Sequence, residues 1–262
     1  MLVSQLMNAH RSAIAWLTGW WQLLQFAALL MTRAMAPSSY RRDNRRTLSE
    51  QIVIATTVNL AWFSVLSALI SLVIIRIVVV TSSSYGLSRY ALEMVVRVLV
   101  LELVPLTAAL FVALRTTLPA GVEFAQQRLA GNAPEPRAAL RTQFYPRAAA
   151  GVFAVWMLAA VSCALTLVLA YLVMYGFTPW ALPGYTRVVG QIFNPAVSLI
   201  LVLKVAFFSL AVAVIPLASS YYSGASSPLQ RRVGTAHGLA DMVRMFSVIL
   251  MVEAASLMGN YY

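Results

Sequence analysis

Five apolar stretches, near residues 51–80, 91–114, 148–176, 196–220 and 235–259, are each long enough to cross about 30 Å of hydrocarbon. Nothing else in the chain constrains its fold as strongly. Of its 262 residues 61% are hydrophobic and 10% are charged, where a water-soluble domain carries about 25% charged residues. A water-soluble fold of this size has no room to bury that much apolar surface, so the natural solvent is lipid. The expected fold is an all-α integral membrane protein.

The connections between these stretches set an orientation. Arg33, Arg41, Arg42, Arg45 and Arg46 precede the first stretch. Arg115, Arg128, Arg137, Arg141 and Arg147 lie between the second and third, and Arg231 and Arg232 between the fourth and fifth. The two remaining loops hold one arginine each, Arg89 and Arg187. Positive loops stay in the cytoplasm. All five spans therefore agree on an N-terminus inside and a C-terminus outside. The net charge of +11 reads as contact with anionic headgroups rather than with nucleic acid. Phe177, Trp180 and Tyr185 make one outer loop aromatic, as at a membrane interface.

Residues 1–46 divide from the spans at 47–262. A signal peptide does not fit the first 36 residues, although Ala34-Met35-Ala36 resembles a cleavage site. The run is too long, and it carries Gln22, Gln25 and the pair Trp20-Trp21. The reading favoured is an amphipathic helix in the cytoplasmic interface, with its tryptophans at headgroup depth. A sixth span is the rival.

Much chemistry is excluded. The chain has a single lysine, Lys204, inside an apolar run, so no G-x-x-x-x-G-K-[ST] phosphate loop exists. His10 and His237 are far apart and lack acidic neighbours in sequence, which argues against a metal site or a His-based triad. Cys163, the one cysteine, excludes an internal disulfide and reads as a small packed side chain. Nothing nominates a catalytic nucleophile.

Ionisable residues inside spans are expensive and are usually paired or line a cavity. They are Arg76, Glu93, Arg97, Glu102, Lys204, Asp241, Arg244 and Glu253. Glu93 with Arg97, and Asp241 with Arg244, have the spacing of local helical pairs. Arg76 stands near the outer end of its span and can snorkel. Glu102 and Glu253 have no cation three or four residues away. Pro105, three residues after Glu102, removes a backbone donor and favours a kink.

These residues also form a recognisable pattern. Leu99-Val-Leu-Glu-Leu-Val-Pro-Leu-Thr-Ala-Ala-Leu-Phe-Val-Ala-Leu-Arg115 resembles the signature of the MlaE/YrbE family of ABC-transporter permeases. Glu102, Leu103, Pro105, Ala109, Ala113 and Arg115 match it. The family arginine before the glutamate is Leu101 here, and the glycine before the proline is Val104. Glu123 stands at the spacing of the family's A-x-E element. Leu140-Arg141 with Pro146-Arg147, and Tyr222-Ser-Gly224 with Val233-Gly234, match further elements, and Glu253 stands where the family has aspartate.

The resemblance implies a half-transporter of the bacterial inner membrane, an N-terminal interfacial helix followed by five transmembrane helices. It implies a second permease chain, homo- or heteromeric, a cytoplasmic ABC ATPase that carries the ATP and Mg, and a periplasmic MCE-domain protein. No cofactor belongs to this chain, and the cargo would be phospholipids or related lipids. Ile74, Ile77, Thr81, Tyr85 and Leu103 would line the lipid pocket. Glu102 would brace that region against Arg97 or a cation on another helix, with Glu253 a second intramembrane charge. Glu123 and Arg128, within a cytoplasmic segment at about 116–147, would face the ATPase. That segment departs from the family, because Gly131, Pro134 and Pro136 end a helix where the coupling helix should continue. A transport-inactive scaffold, or the divergent half of a heterodimer, is the alternative. A proton-coupled secondary transporter is a third reading, weakened by the absence of an inverted repeat of broken helices.

Overall fold

The computed structural model describes residues 2–36, 42–129, 136–222 and 234–261. Seven helices order them: α1 (Leu2–Met35), α2 (Arg42–Ser84), α3 (91–129), α4 (136–175), α5 (Leu182–Ile192), α6 (Pro195–Tyr222) and α7 (Gly234–Tyr261). Single 3-10 turns at Ser88–Tyr90 and Pro179–Ala181 lead into α3 and α5. Among the described residues five helices, α2, α3, α4, α6 and α7, have the length and apolar content to cross a membrane. This is a multi-pass, all-α membrane protein.

The helices outrun the apolar stretches. Span two continues to Gln127 and span three begins at Leu140. Apolar content marks the hydrocarbon, whereas helix, once nucleated, propagates into the polar flank at little cost.

Lipid as solvent shows in what faces outward. Along α2, Val53, Ile54, Trp62, Leu69, Val73 and Ile77 are all exposed, an arrangement that water would penalise and hydrocarbon does not. Buried polar contacts also tie the helices together. Ser71 and Thr166 share a buried 3.0 Å hydrogen bond that joins α2 to α4. Such hydroxyl pairs hold helices together where no hydrophobic effect operates between them. Helix α4 is the central element, flanked by α2, α3 and α6, and α7 packs on α6.

At the arginine-rich end, two features tie the bundle together. A Cβ at Gly121 of α3 would lie 2.8 Å from the carbonyl oxygen of Pro216 in α6, so only glycine permits that crossing. An aromatic cluster joins four helices. The Phe26 ring in α1 lies 6.0 Å edge-on from Phe144 in α4, and Phe144 lies 4.7 Å from Phe124 in α3 and 5.6 Å from Tyr221 in α6. Leu23, Phe26 and Leu30 are buried on one stripe of α1 while Trp21, Leu24 and Met31 remain exposed. At helical spacing, that stripe is the face α1 packs on the bundle.

At the opposite end, α4 stops at Gly176, whose φ of +66° suits glycine. Helix α5 then packs against the start of α3. Tyr185 is buried, and its hydroxyl donates to the Leu167 carbonyl at 2.7 Å. Burial, followed by the neighbouring Tyr175, pushes the Tyr185 phenol up to about 12.

Candidate functional site: a buried charge cluster beside an apolar groove

Helix α3 is not a plain α-helix. It runs Ala91–Met94 as α, Val95–Leu103 as π, Val104–Val112 as α and Ala113–Thr117 as π before its last α segment. Wide turns of this kind are rare and gather at functional sites. The cause of the first lies in Pro105. The Val104 N–H donates to Leu99, five residues back. Val100 thereby loses its α-helical donor. Its next one, at position 105, is a proline with no N–H. Leu101 loses its α-helical donor to the same proline.

Both carbonyls are served from other helices. The Cys163 thiol of α4 donates to Val100 at 3.5 Å, a bond within the longer range for sulfur. The Lys204 ammonium of α6 donates to Leu101 at 3.2 Å. Two orphaned acceptors in hydrocarbon would cost several kcal/mol each, so the proline and its two partners form one unit.

Lys204 is 2% exposed, and two carboxylates surround it. It donates to Glu102 Oε2 of α3, and Glu253 Oε2 of α7 lies 2.8 Å away. The two carboxylates therefore approach one ammonium from different helices. The Phe208 ring lies 5.8 Å below the ammonium. Glu102 Oε1 accepts a 2.9 Å bond from Asn260 Nδ2 in the last turn of α7. Three helices thus meet on the only lysine in the sequence.

Both deep carboxylates singled out by sequence, Glu102 and Glu253, belong to this cluster. Arg97 does not. It pairs with Glu93 at 3.0 Å on the half-exposed face of α3, as the four-residue spacing predicts. The cation that braces Glu102 comes instead from another helix. No ion pair joins Asp241 to Arg244: Asp241 accepts from Ser219 of α6, and the Arg244 guanidinium packs against Gly19 of α1. Tertiary packing outweighs the few tenths of a kcal/mol of a local helical pair. Asn260 and Cys163 are members that sequence reasoning did not place here. Asn260 carried one usable signal, its position seven residues after Glu253 on the same helix face.

Helices α2 and α3 also enclose an apolar groove of about 220 Å³. Phe63, Leu66, Ile70, Leu103, Leu110 and Phe111 are among its walls. Leu103 lines it. Ile74 packs on the same cluster of side chains as Leu103, whereas Ile77 and Thr81 of α2, and Tyr85 in the turn after it, lie exposed outside the groove. The five residues expected to form one pocket are therefore spread along one side of α2 and α3.

Glu123 lies at the arginine-rich end, half-exposed, and pairs with Arg147 of α4 at 3.2 Å. Gln127 also donates to it, at 3.4 Å, and the Arg147 guanidinium covers Phe124, 5.2 Å from the ring centre. The α-helix ends at Leu129. The Arg128 side chain and residues 130–135, with Gly131 and Pro134, lie outside the described residues, as do 223–233 and the side chains of His10 and His237.

The family model described as Permease MlaE matches residues 48–258. The chain belongs to the MlaE permease family. The match covers the five spans except for two residues at each outer limit, the charge cluster apart from Asn260, and the groove. No curated protein matches the chain. A permease of this family is the transmembrane subunit of a lipid-transport ABC system and is not itself catalytic. The departures at Leu101 and Val104 therefore sit within a family element, where the π-helical turn and the Lys204 contact now have a local physical account.

Proposed function

We propose that this chain is the membrane half-transporter of an ABC system that moves phospholipids or related lipids between the bacterial inner membrane and a periplasmic MCE-domain carrier. The observation that carries the reading is the apolar groove between α2 and α3, of acyl-chain chemistry, in a chain of the MlaE permease family. Lacking a phosphate loop, the chain would take its work from a cytoplasmic ABC ATPase in trans. A second permease chain, identical or not, would complete the lipid path against α2. Ile74, Ile77, Thr81 and Tyr85 would continue that path from Leu103 toward the outer leaflet. Arginine placement supports a cytoplasmic N-terminus, which would put Glu123 on the ATPase side and α5 with Asn260 on the periplasmic side.

Purification with native neighbours tests this. Co-purification of an ABC ATPase together with lipid found by mass spectrometry is the expected result. Absence of both would overturn it. The shortened segment after Leu129 favours one second reading, a divergent subunit paired with a more typical permease; in that case a second, non-identical permease accompanies the chain.

A further inference from the structure

The groove between α2 and α3 has two unlike ends. Near the arginine-rich end the Phe63 and Phe111 rings lie 5.1 Å apart, and Leu114 stands one turn beyond Phe111. At the far end the walls are shut: Ser71 and Leu99 are each 1% exposed. Leu66, Ile70 and Leu114 are exposed walls and form a lateral mouth, which reaches the arginine-rich end at Leu114, 51% exposed. The walls hold no charged residue. Of their three hydroxyls, Ser71 is bonded to Thr166 and Thr107 to carbonyls of its own helix, and the lone Ser67 hydroxyl does not offset a charge. A lipid headgroup must therefore sit at one end, with only its chain inside.

The arginines near the shut end are turned elsewhere. Arg97, two residues before Leu99, pairs with Glu93. Arg76 shares a helical stripe with Val73 and Val80, neither of which lines the groove. At the open end Arg115 directly follows Leu114. It is exposed, and among the described residues no carboxylate pairs with it. Glu123, two turns on, is taken by Arg147. The second π segment, Ala113–Thr117, contains both Leu114 and Arg115. Its cause is again a proline: Pro119 has no N–H to give Arg115, and the Leu118 N–H turns back to Ala113. A wider turn rotates less per residue, so Arg115 stays closer to the face of Leu114 than an α-helix would hold it.

We infer that the groove holds an acyl chain of a phospholipid from the leaflet at the arginine-rich end, with the lipid phosphate on the Arg115 guanidinium. Depth and chemistry agree. The apolar stretch ends at residue 114, so Arg115 stands at the border between hydrocarbon and headgroups. A guanidinium presents paired N–H donors that match phosphate oxygens. From Leu114 to Leu99 the wall of α3 runs about 20 Å by helical rise, against about 15 Å for the hydrocarbon of one leaflet. A chain anchored at Arg115 therefore reaches the middle of the membrane without leaving the groove.

The site rests on the lipid-permease reading and adds to it a leaflet and a headgroup contact. It is tested on the protein purified in detergent, with the subunits that accompany it. The probe, at sub-saturating concentration and as the sole added phospholipid, is phosphatidylglycerol with a photoactivatable diazirine either beside the acyl carbonyl or near the chain end. Labelled residues are mapped by mass spectrometry. The carbonyl-proximal probe should label Leu110 and Leu114, and the chain-end probe Leu99 and Leu103. Arg115→Gln should lower groove labelling by about tenfold, the low end for a hydrogen bond to a charged group, and Arg115→Lys by less. Labelling of Val73 and Leu250, exposed to lipid elsewhere, should not change. The opposite order along the groove, or full labelling of Arg115→Gln, overturns the Arg115 site and leaves the lipid reading standing. Equal labelling by a diacylglycerol with the same chains overturns the phosphate contact. Groove labelling no higher than at Val73 and Leu250 overturns the groove as a lipid site, and with it the lipid reading. Disulfide formation between two copies of a Leu66→Cys variant, without groove labelling, gives the groove to a second copy and overturns the site.

Discussion

Lys204 donates to the carbonyl of Leu101, the group that Pro105 leaves without its helical donor. A helix defect in α3 and a buried cation in α6 are thus two sides of one contact. Glu102, directly after Leu101, accepts from the same ammonium. The family pattern has arginine where this chain has Leu101, so here the counter-charge for Glu102 comes across the bundle.

Removing the ammonium should be far worse than removing the whole cluster. Lys204→Met keeps the length but strands two carboxylates and the Leu101 carbonyl. Loss of one partner of a buried ion pair costs about 3–5 kcal/mol, whereas replacing every partner by neutral groups is close to neutral. Lys204→Met should therefore show a large fall in thermal stability in detergent, and the triple variant Glu102→Gln, Lys204→Met, Glu253→Gln should recover most of it. A triple variant less stable than Lys204→Met would show that the charges do not act as a unit.

Pro105→Ala restores the missing N–H. That donor can then reach Leu101 in α-helical register or Val100 in π register, competing with Lys204 or Cys163. The π-helical segment Val95–Leu103 should shorten, and the amide at position 105 should be protected from hydrogen exchange. An unchanged π segment in a structure of the variant would separate the defect from the proline.

Two glycines differ in how much room they have. At Gly121 a Cβ would lie 2.8 Å from the backbone oxygen of Pro216, while at Gly151 it would meet the Thr117 methyl at 3.0 Å. A methyl can move with its side chain, and a backbone carbonyl cannot. Gly121→Ala should cost about 1–3 kcal/mol, in the range of overpacking, and Gly151→Ala distinctly less. Thermal unfolding of the two variants side by side checks the order.

Much of this was legible beforehand, and the gaps have physical causes. The spans could be read because lipid sets a minimum apolar length, and the Glu93–Arg97 pair because helix geometry makes it local. Lys204 stood out as a lone lysine in an apolar run. Its partners could not be deduced, since pairing across helices depends on rotation and crossing angle, which hydropathy does not encode. The same limit explains why Asp241 bonds Ser219 instead of Arg244. The groove is set by the approach of α2 to α3, so of the five positions suggested from sequence Leu103 alone is among its walls.

The Tyr185 phenol provides a pH-dependent readout of how α5 is seated. Its pKa is raised to about 12 by burial and by Tyr175, so the folded protein favours the neutral phenol that donates to Leu167. The sign follows from linkage: below the ordinary value of 10 this contribution is fully present, and it is lost as pH rises from there through about 12. Stability should decline over that window. Tyr185→Phe should remove that part of the decline and lower stability at neutral pH by about 1 kcal/mol, the net value of one hydrogen bond. Thermal unfolding of wild type and Tyr185→Phe between pH 8 and 12 checks both, and identical alkaline profiles would rule out Tyr185 as the group responsible.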